Sequence, residues 1–172
     1  GIDGLLGLAV RLYVSPGDAV LSSLGGYPTF NYHVHGFGGR LVTVPYRDDH
    51  EDLEALLAAA HREKPKLVYL ANPDNPMGTW HAGAKVAEFA RALPPQTMLI
   101  LDEAYGDLAP PGTLPALDPA DRRVVRMRTF SKAYGLAGER VGWATGAADL
   151  IEVLNRIRGP FNTSNSAQAT CL

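Results

Sequence analysis

Six short apolar runs recur along the chain, at Ala19 to Ser22, Leu41 to Val44, Leu67 to Ala71, Met98 to Leu101, Val124 to Met127 and Val141 to Thr145. Continuous apolar runs of this length predict strands buried on both faces. Between them the period lengthens. Leu53, Leu56, Leu57 and Ala60 within Asp52 to Glu63, Val86, Phe89, Ala90 and Leu93 within Gly83 to Leu93, and Leu150, Val153, Leu154 and Ile157 within Asp149 to Arg158 fall at helical spacing. Gly1 to Val14 reads as a turn leading into a further helix. Alternating strands and helices with short connections predict an α/β fold, a three-layer αβα sandwich with a mostly parallel sheet and right-handed crossovers. The Pro- and Gly-rich stretch from Pro110 to Pro119 reads as a surface excursion, because the strand pattern resumes directly after it. Residues 1–172 are therefore read as one domain, without internal repeats.

Composition narrows the function without choosing it. The apolar and charged fractions are those of a globular protein, and a net charge of -2 with interspersed signs gives no footprint for nucleic acid or an anionic membrane. Small molecules or other protein chains are the expected partners. Cys171 is the single cysteine, which allows no intrachain disulfide and favours a reducing, cytoplasmic compartment. No apolar run reaches the roughly 18 residues of a membrane span. The chain opens without an initiator methionine or a leader, so it reads as a piece of a longer protein.

In parallel sheets ligands bind beyond the carboxyl ends of the strands, and that is where the chemistry of this sequence collects. After Leu67 to Ala71 comes Asn72-Pro73-Asp74-Asn75-Pro76-Met77-Gly78, a rigid turn presenting the amide of Asn75. After Met98 to Leu101 comes Asp102-Glu103-Ala104-Tyr105. After Val124 to Met127 come Thr129-Phe130-Ser131-Lys132 and then a Gly-rich stretch ending in Arg140. Amide, carboxylate, phenol, amine, hydroxyls and guanidinium thus share one rim. Pyridoxal 5'-phosphate needs such a set: an amine for a Schiff base, a carboxylate for its ring nitrogen, donors to its phenolate, and hydroxyls, amides and a cation for its phosphate.

With these motifs the chain resembles the fold-type I pyridoxal-phosphate aminotransferases of classes I and II, especially histidinol-phosphate aminotransferases. The resemblance runs from Gly1-Ile2-Asp3-Gly4 through Ser15-Pro16-Gly17-Asp18 and Tyr27-Pro28-Thr29-Phe30 to Gly159-Pro160-Phe161-Asn162, with Tyr105 three residues after Asp102 and Arg140 eight after Lys132. It implies the large domain of that fold, without an N-terminal arm or C-terminal small domain, and a homodimer. It implies that Lys132 carries the Schiff base and moves the proton, that Asp102 pairs with the ring nitrogen, and that Asn75 and Tyr105 donate to the phenolate. It further assigns Thr129, Ser131, Arg140 and the backbone at Ile2 and Asp3 to the phosphate, at a helix start where an anion is favoured, and Phe30 to a stack on the ring. The implied activity is transamination, with histidinol phosphate as donor and 2-oxoglutarate as acceptor, in histidine biosynthesis. Aromatic amino-acid transamination, phosphothreonine decarboxylation and a cofactor-sensing transcription regulator are the alternatives.

Three positions depart from the family pattern. Ile2 replaces a small polar residue, Gly4 an acid, and Met77 the threonine of the Asn-Pro-Thr-Gly turn. Each motif residue also has an ordinary reading. Lys132 alone reads as a solvated lysine, Asp102 as a turn cap, Tyr105 and Phe30 as packed aromatics, Asn75 as a turn stabiliser, and Arg140 as an ion-pair partner of Glu139 or Asp149. His33, His35, His50, His61 and His81 have no metal-ligand spacing and read as structural or solvated. Gly36, Gly38 and Gly39 do not complete a dinucleotide-binding glycine motif.

Overall fold

The computed structural model describes residues 1–171. Among them the chain forms strands β1 (Ala19–Ser23), β2 (Arg40–Val44), β3 (Leu67–Ala71), β4 (Met98–Asp102), β5 (Val124–Thr129) and β6 (Gly142–Thr145). The helices are α1 (Ile2–Tyr13), α2 (Pro28–Gly36), α3 (Leu53–Glu63), α4 (Gly83–Ala92), α5 (Ala148–Ile157) and α6 (Asn165–Thr170). The strands make one sheet in the order β2-β1-β3-β4-β5-β6, parallel except at β5 with β6. The mostly parallel three-layer sandwich expected from the pattern is the fold observed. β6 runs antiparallel because residues 130–141 supply a loop and a short 3-10 turn, whereas a parallel neighbour requires a long crossover.

Every residue of β3 and β4 is buried, since side chains alternate between two covered faces. Leu67, Tyr69 and Ala71 pack with α1, α2 and α5, while Val68 and Leu70 pack with α3 and α4. Truncating a fully buried leucine such as Leu101 to alanine costs about 2–5 kcal/mol. Helix α2 has no counterpart in the hydrophobic pattern, because only Phe30 and Val34 on it are buried and Pro28 supplies its start. Gly7 lets α1 and α2 approach: a Cβ there would lie 2.9 Å from the His33 ring, which reaches across to bond Asp3 at 3.0 Å.

Between β1 and β3 the order of the sheet reverses, and their register covers only Val20↔Leu67 and Leu21↔Val68. The carboxyl group of Glu51, itself 3% exposed, bridges the two strand ends. Ser23 Oγ donates to it at 2.5 Å, and the Ala71 backbone N–H, left without a strand partner there, donates at 2.8 Å. Burial pushes the Glu51 carboxyl up to about 8, against the pull of those two hydrogen bonds. A carboxyl raised on folding stabilises fully below its unfolded value and loses that contribution as pH rises through the folded value. The full-length protein should therefore lose stability between about pH 5 and pH 8, by at least about 1 kcal/mol more than Glu51→Gln does. Chemical denaturation across that range measures the difference, and parallel curves for the two proteins would contradict it.

Candidate functional site

Register decides which side chains meet. Ala71 on β3 lies opposite Asp102 on β4, and Asp102 lies opposite Met127 on β5, so the segments that follow these strands open onto one edge of the sheet. Asp102 is the last residue of its strand and 5% exposed. Its Oδ2 accepts from the Tyr69 hydroxyl at 2.7 Å and its Oδ1 from the Ala104 N–H at 2.9 Å. Burial raises the Asp102 carboxyl above its ordinary range, opposed by those two donors and by the positive charge of Lys132. The neighbouring Glu103 points the other way and is already paired, accepting from Arg126 Nε at 3.0 Å and Nη2 at 2.7 Å. Of two adjacent buried carboxylates, one thus has a protein cation bonded to it and the other has only neutral donors.

Asp102, Lys132, Asn75 and Tyr105 line a single small pocket, together with Tyr69 and Ala104. Lys132 Nζ stands 5.2 Å from the centroid of the Tyr105 ring. Ile2, at the start of α1, and Tyr27 also line it. Phe30 does not: it is fully buried and its ring stacks on Tyr69 at 4.6 Å and 16°. The placement expected for Phe30 on the ring of a ligand is therefore not the one observed. The helix turn that carries Tyr27 to the pocket sends Phe30 into the core.

The turn bearing Asn75 is fastened from beneath by Asn72, which is fully buried. Asn72 Nδ2 donates to His81 O at 3.1 Å and to Thr113 O at 3.0 Å, and its Oδ1 accepts from His81 N at 2.8 Å. Backbone bonds from Gly78 N to Asp74 O and from Asp74 N to Thr79 O close the turn without a threonine at Met77. Tyr46 donates to Asp74 at 2.9 Å from the far side.

At the other end of the rim Thr129 is 1% exposed, and its hydroxyl bonds Val141 O at 3.1 Å and Ser131 Oγ at 2.9 Å. It orders the loop rather than facing the opening, while Ser131 remains partly exposed. Phe130 packs on Tyr134 and Trp143, with centroids 5.0 and 4.9 Å apart, and so holds the loop that carries Lys132. Arg140 adopts φ 59°, a left-handed conformation that costs a non-glycine residue of order 1–3 kcal/mol. Its Nη1 donates to Ala137 O, and its Nη2 lies 2.9 Å from where a Cβ on Gly1 would sit, beside the start of α1. The ion-pair reading with Asp149 does not hold, since Asp149 pairs with Arg122. Gly142 admits this approach: a Cβ there would be 2.9 Å from Ile2 N. The Arg140 guanidinium thus lies beside the start of α1, and Ser131 is tied to Thr129, whose partner across the sheet, Gly142, lies against Ile2 N. The Asp3 side chain is taken by His33, and Gly4 is exposed.

The sequence pattern assigned no role to Tyr69 or Glu51, and Asn72 and Tyr27 fell within its motifs without being assigned one. Tyr69 left one signal, a lone polar tip inside an otherwise apolar run two residues before a strand end. Four of the five histidines bond within the protein, His33 to Asp3, His50 to Asp48 O, His61 to Ala92 O and His81 to Glu51 O, and His35 is exposed.

A family model described as aminotransferase class I and II matches residues 1–172. Histidinol-phosphate aminotransferases from Erythrobacter litoralis and Dinoroseobacter shibae are 43% and 41% identical to the chain over 100% and 98% of its length. The crystal structure of histidinol-phosphate aminotransferase from Sinorhizobium meliloti, in complex with pyridoxal-5'-phosphate, superimposes with a TM-score of 0.95 at 57% identity over 98% of the chain. The chain spans about half the length of these relatives, 47% in each case.

Asn72→Ala should destabilise the full-length protein by about 2–4 kcal/mol, because the His81 N–H and two carbonyls lose their buried partner at once. Denaturant unfolding measures it, and a loss below about 0.5 kcal/mol would contradict the role given to Asn72.

Proposed function

Because the chain belongs to the class I and II aminotransferase family, we propose that the whole protein is a pyridoxal-phosphate-dependent transaminase moving the amino group of histidinol phosphate to 2-oxoglutarate. In this reading residues 1–172 are its cofactor-binding large domain, two copies form the working dimer, and the reaction belongs to histidine biosynthesis in the cytoplasm. One observation carries the reading: Lys132, Asp102, Asn75 and Tyr105, drawn from three separate strand ends, line one pocket. The substrate choice is supported by the names of the relatives above.

The residues fit the cofactor. Asp102 is a buried carboxyl group whose hydrogen-bonding partners are neutral, so it suits a cationic ring nitrogen. Asn75 and Tyr105 supply an amide and a phenol beside it for a phenolate oxygen. The α1 amides at Ile2 and Asp3, with Arg140 and Ser131, suit the phosphate, and Thr129 supports Ser131 from inside. Tyr27, Tyr69 and Tyr105 provide the aromatic surface of the pocket, with Phe30 one layer further in.

When bound, the cofactor supplies an electron sink for the pair left behind as a proton leaves the amine-bearing carbon. The protein does the rest. Lys132 Nζ is the group that would hold the cofactor and, when free of it, the base that would move the proton at that carbon. Tyr105, whose ring faces Nζ, limits where the amine can swing. Asp102 would keep a positive charge on the ring nitrogen, and the α1 amides with Arg140 and Ser131 would fix the phosphate end against rotation.

The full-length protein, loaded with cofactor, should form glutamate from 2-oxoglutarate with histidinol phosphate as donor. Lys132→Ala should lower that rate by at least about a thousandfold. Glutamate formed only with phenylalanine would move the assignment to aromatic transamination. Carbon dioxide release from phosphothreonine would move it to decarboxylation, and no turnover of any of the three would contradict the reading.

A further inference from the structure

The partner that Asp102 already has is the least expected feature of the pocket. Tyr69 sits in the middle of β3, fully inside the core, and sends its hydroxyl to Asp102 Oδ2 at 2.7 Å. The residues of an ordinary buried strand carry no polar tip, and a phenol there needs a partner. The Phe30 ring lies flat on the Tyr69 ring, 4.6 Å away, and is itself 0% exposed, so the phenol has no room to turn away. Ala104 N–H takes Oδ1. Each carboxylate oxygen has about two acceptor sites, so each retains one, and Asp102 lines the pocket.

We propose that Tyr69, held in place by Phe30, is the positioning residue that orients Asp102 and keeps it ionised for the ring nitrogen of the cofactor. This rests on the cofactor reading given above. Phe30 then acts on the ring through Tyr69 and Asp102 instead of by stacking on it.

The electrostatic surroundings make the hydrogen bond consequential. Other ionisable groups bear on Asp102 or its partner: Lys132 from the loop after β5, Asp74 from the turn after β3, Glu51 at the ends of β1 and β3, the adjacent Glu103 with its Arg126 partner, and Tyr69 itself. Burial and the negative charge of Asp74 favour a neutral Asp102; the Tyr69 hydroxyl, the Ala104 N–H and Lys132 favour the ion. Burial and the facing carboxylates hold the Tyr69 phenol well above its ordinary value, so it remains a donor. Without that donor Asp102 becomes more basic. A proton shared between Asp102 and the ring nitrogen then moves toward Asp102, and the nitrogen loses positive charge.

Tyr69→Phe keeps the ring stacked on Phe30 and removes only the oxygen. In the full-length protein it should weaken pyridoxal phosphate binding on the order of tenfold to a hundredfold. The nitrogen NMR resonance of ring-labelled cofactor should also move from the protonated toward the neutral position, a change that loss of packing alone does not produce. Phe30→Leu, which keeps the phenol but frees it, should move the same resonance the same way by less. A resonance and an affinity unchanged in Tyr69→Phe, or a resonance unmoved in both variants, would overturn the inference while leaving the cofactor reading intact. A wild-type protein that binds no cofactor, or binds it with a neutral ring nitrogen, would overturn the cofactor reading and this inference with it.

Discussion

A carboxylate buried at the end of a central strand costs several kcal/mol unless something answers its charge, and Asp102 sets that condition for the rest of the molecule. Its two hydrogen bonds come from neutral groups, Tyr69 on the adjacent strand and the Ala104 amide. Glu103, one residue along, meets the same cost with two bonds from Arg126, both to its Oε1. The contrast explains the geometry of the rim. For Asp102 to remain ionised, β3 must place Tyr69 beside it, β5 must end where its loop brings Lys132 near, and the Asn72 turn must close over the same point. In the proposed reading a cationic ring nitrogen completes the charge balance that Lys132 and the neutral donors begin.

The parts of this arrangement that lie along the chain were legible in the sequence. Strands covered on both faces leave continuous apolar runs, and the chemistry follows those runs directly, which is why Asp102, Lys132, Asn75 and Tyr105 stood out. Contacts between residues far apart in sequence left little trace. Tyr69 and Asp102 are 33 residues apart, and Glu51 reaches an amide 20 residues away, so neither bond has a local pattern. Phe30 shows the limit from the other side. The motif Tyr27-Pro28-Thr29-Phe30 located the right helix, but only the rotation of α2 decides that Tyr27 faces the pocket and Phe30 the core. Thr129 likewise belongs to the rim by position and to the loop's internal bonding by contact.

The departures at Ile2, Gly4 and Met77 fall where the structure relies on backbone. Ile2 offers its amide at the start of α1 and its side chain to the packing beneath, Gly4 is exposed, and the turn at Met77 is closed by main-chain bonds. The same economy holds at the switch between β1 and β3, where Glu51 rather than a strand partner satisfies Ala71 N. Side chains that fasten the frame and side chains that face the pocket are therefore mostly different residues, and Tyr69 does both.

The most direct measurement of the central claim is borohydride reduction of the full-length protein loaded with pyridoxal phosphate, followed by peptide mapping. The account predicts the cofactor's mass on the peptide that contains Lys132. Label on Lys64, Lys66 or Lys85 instead, or no label at all, would contradict it.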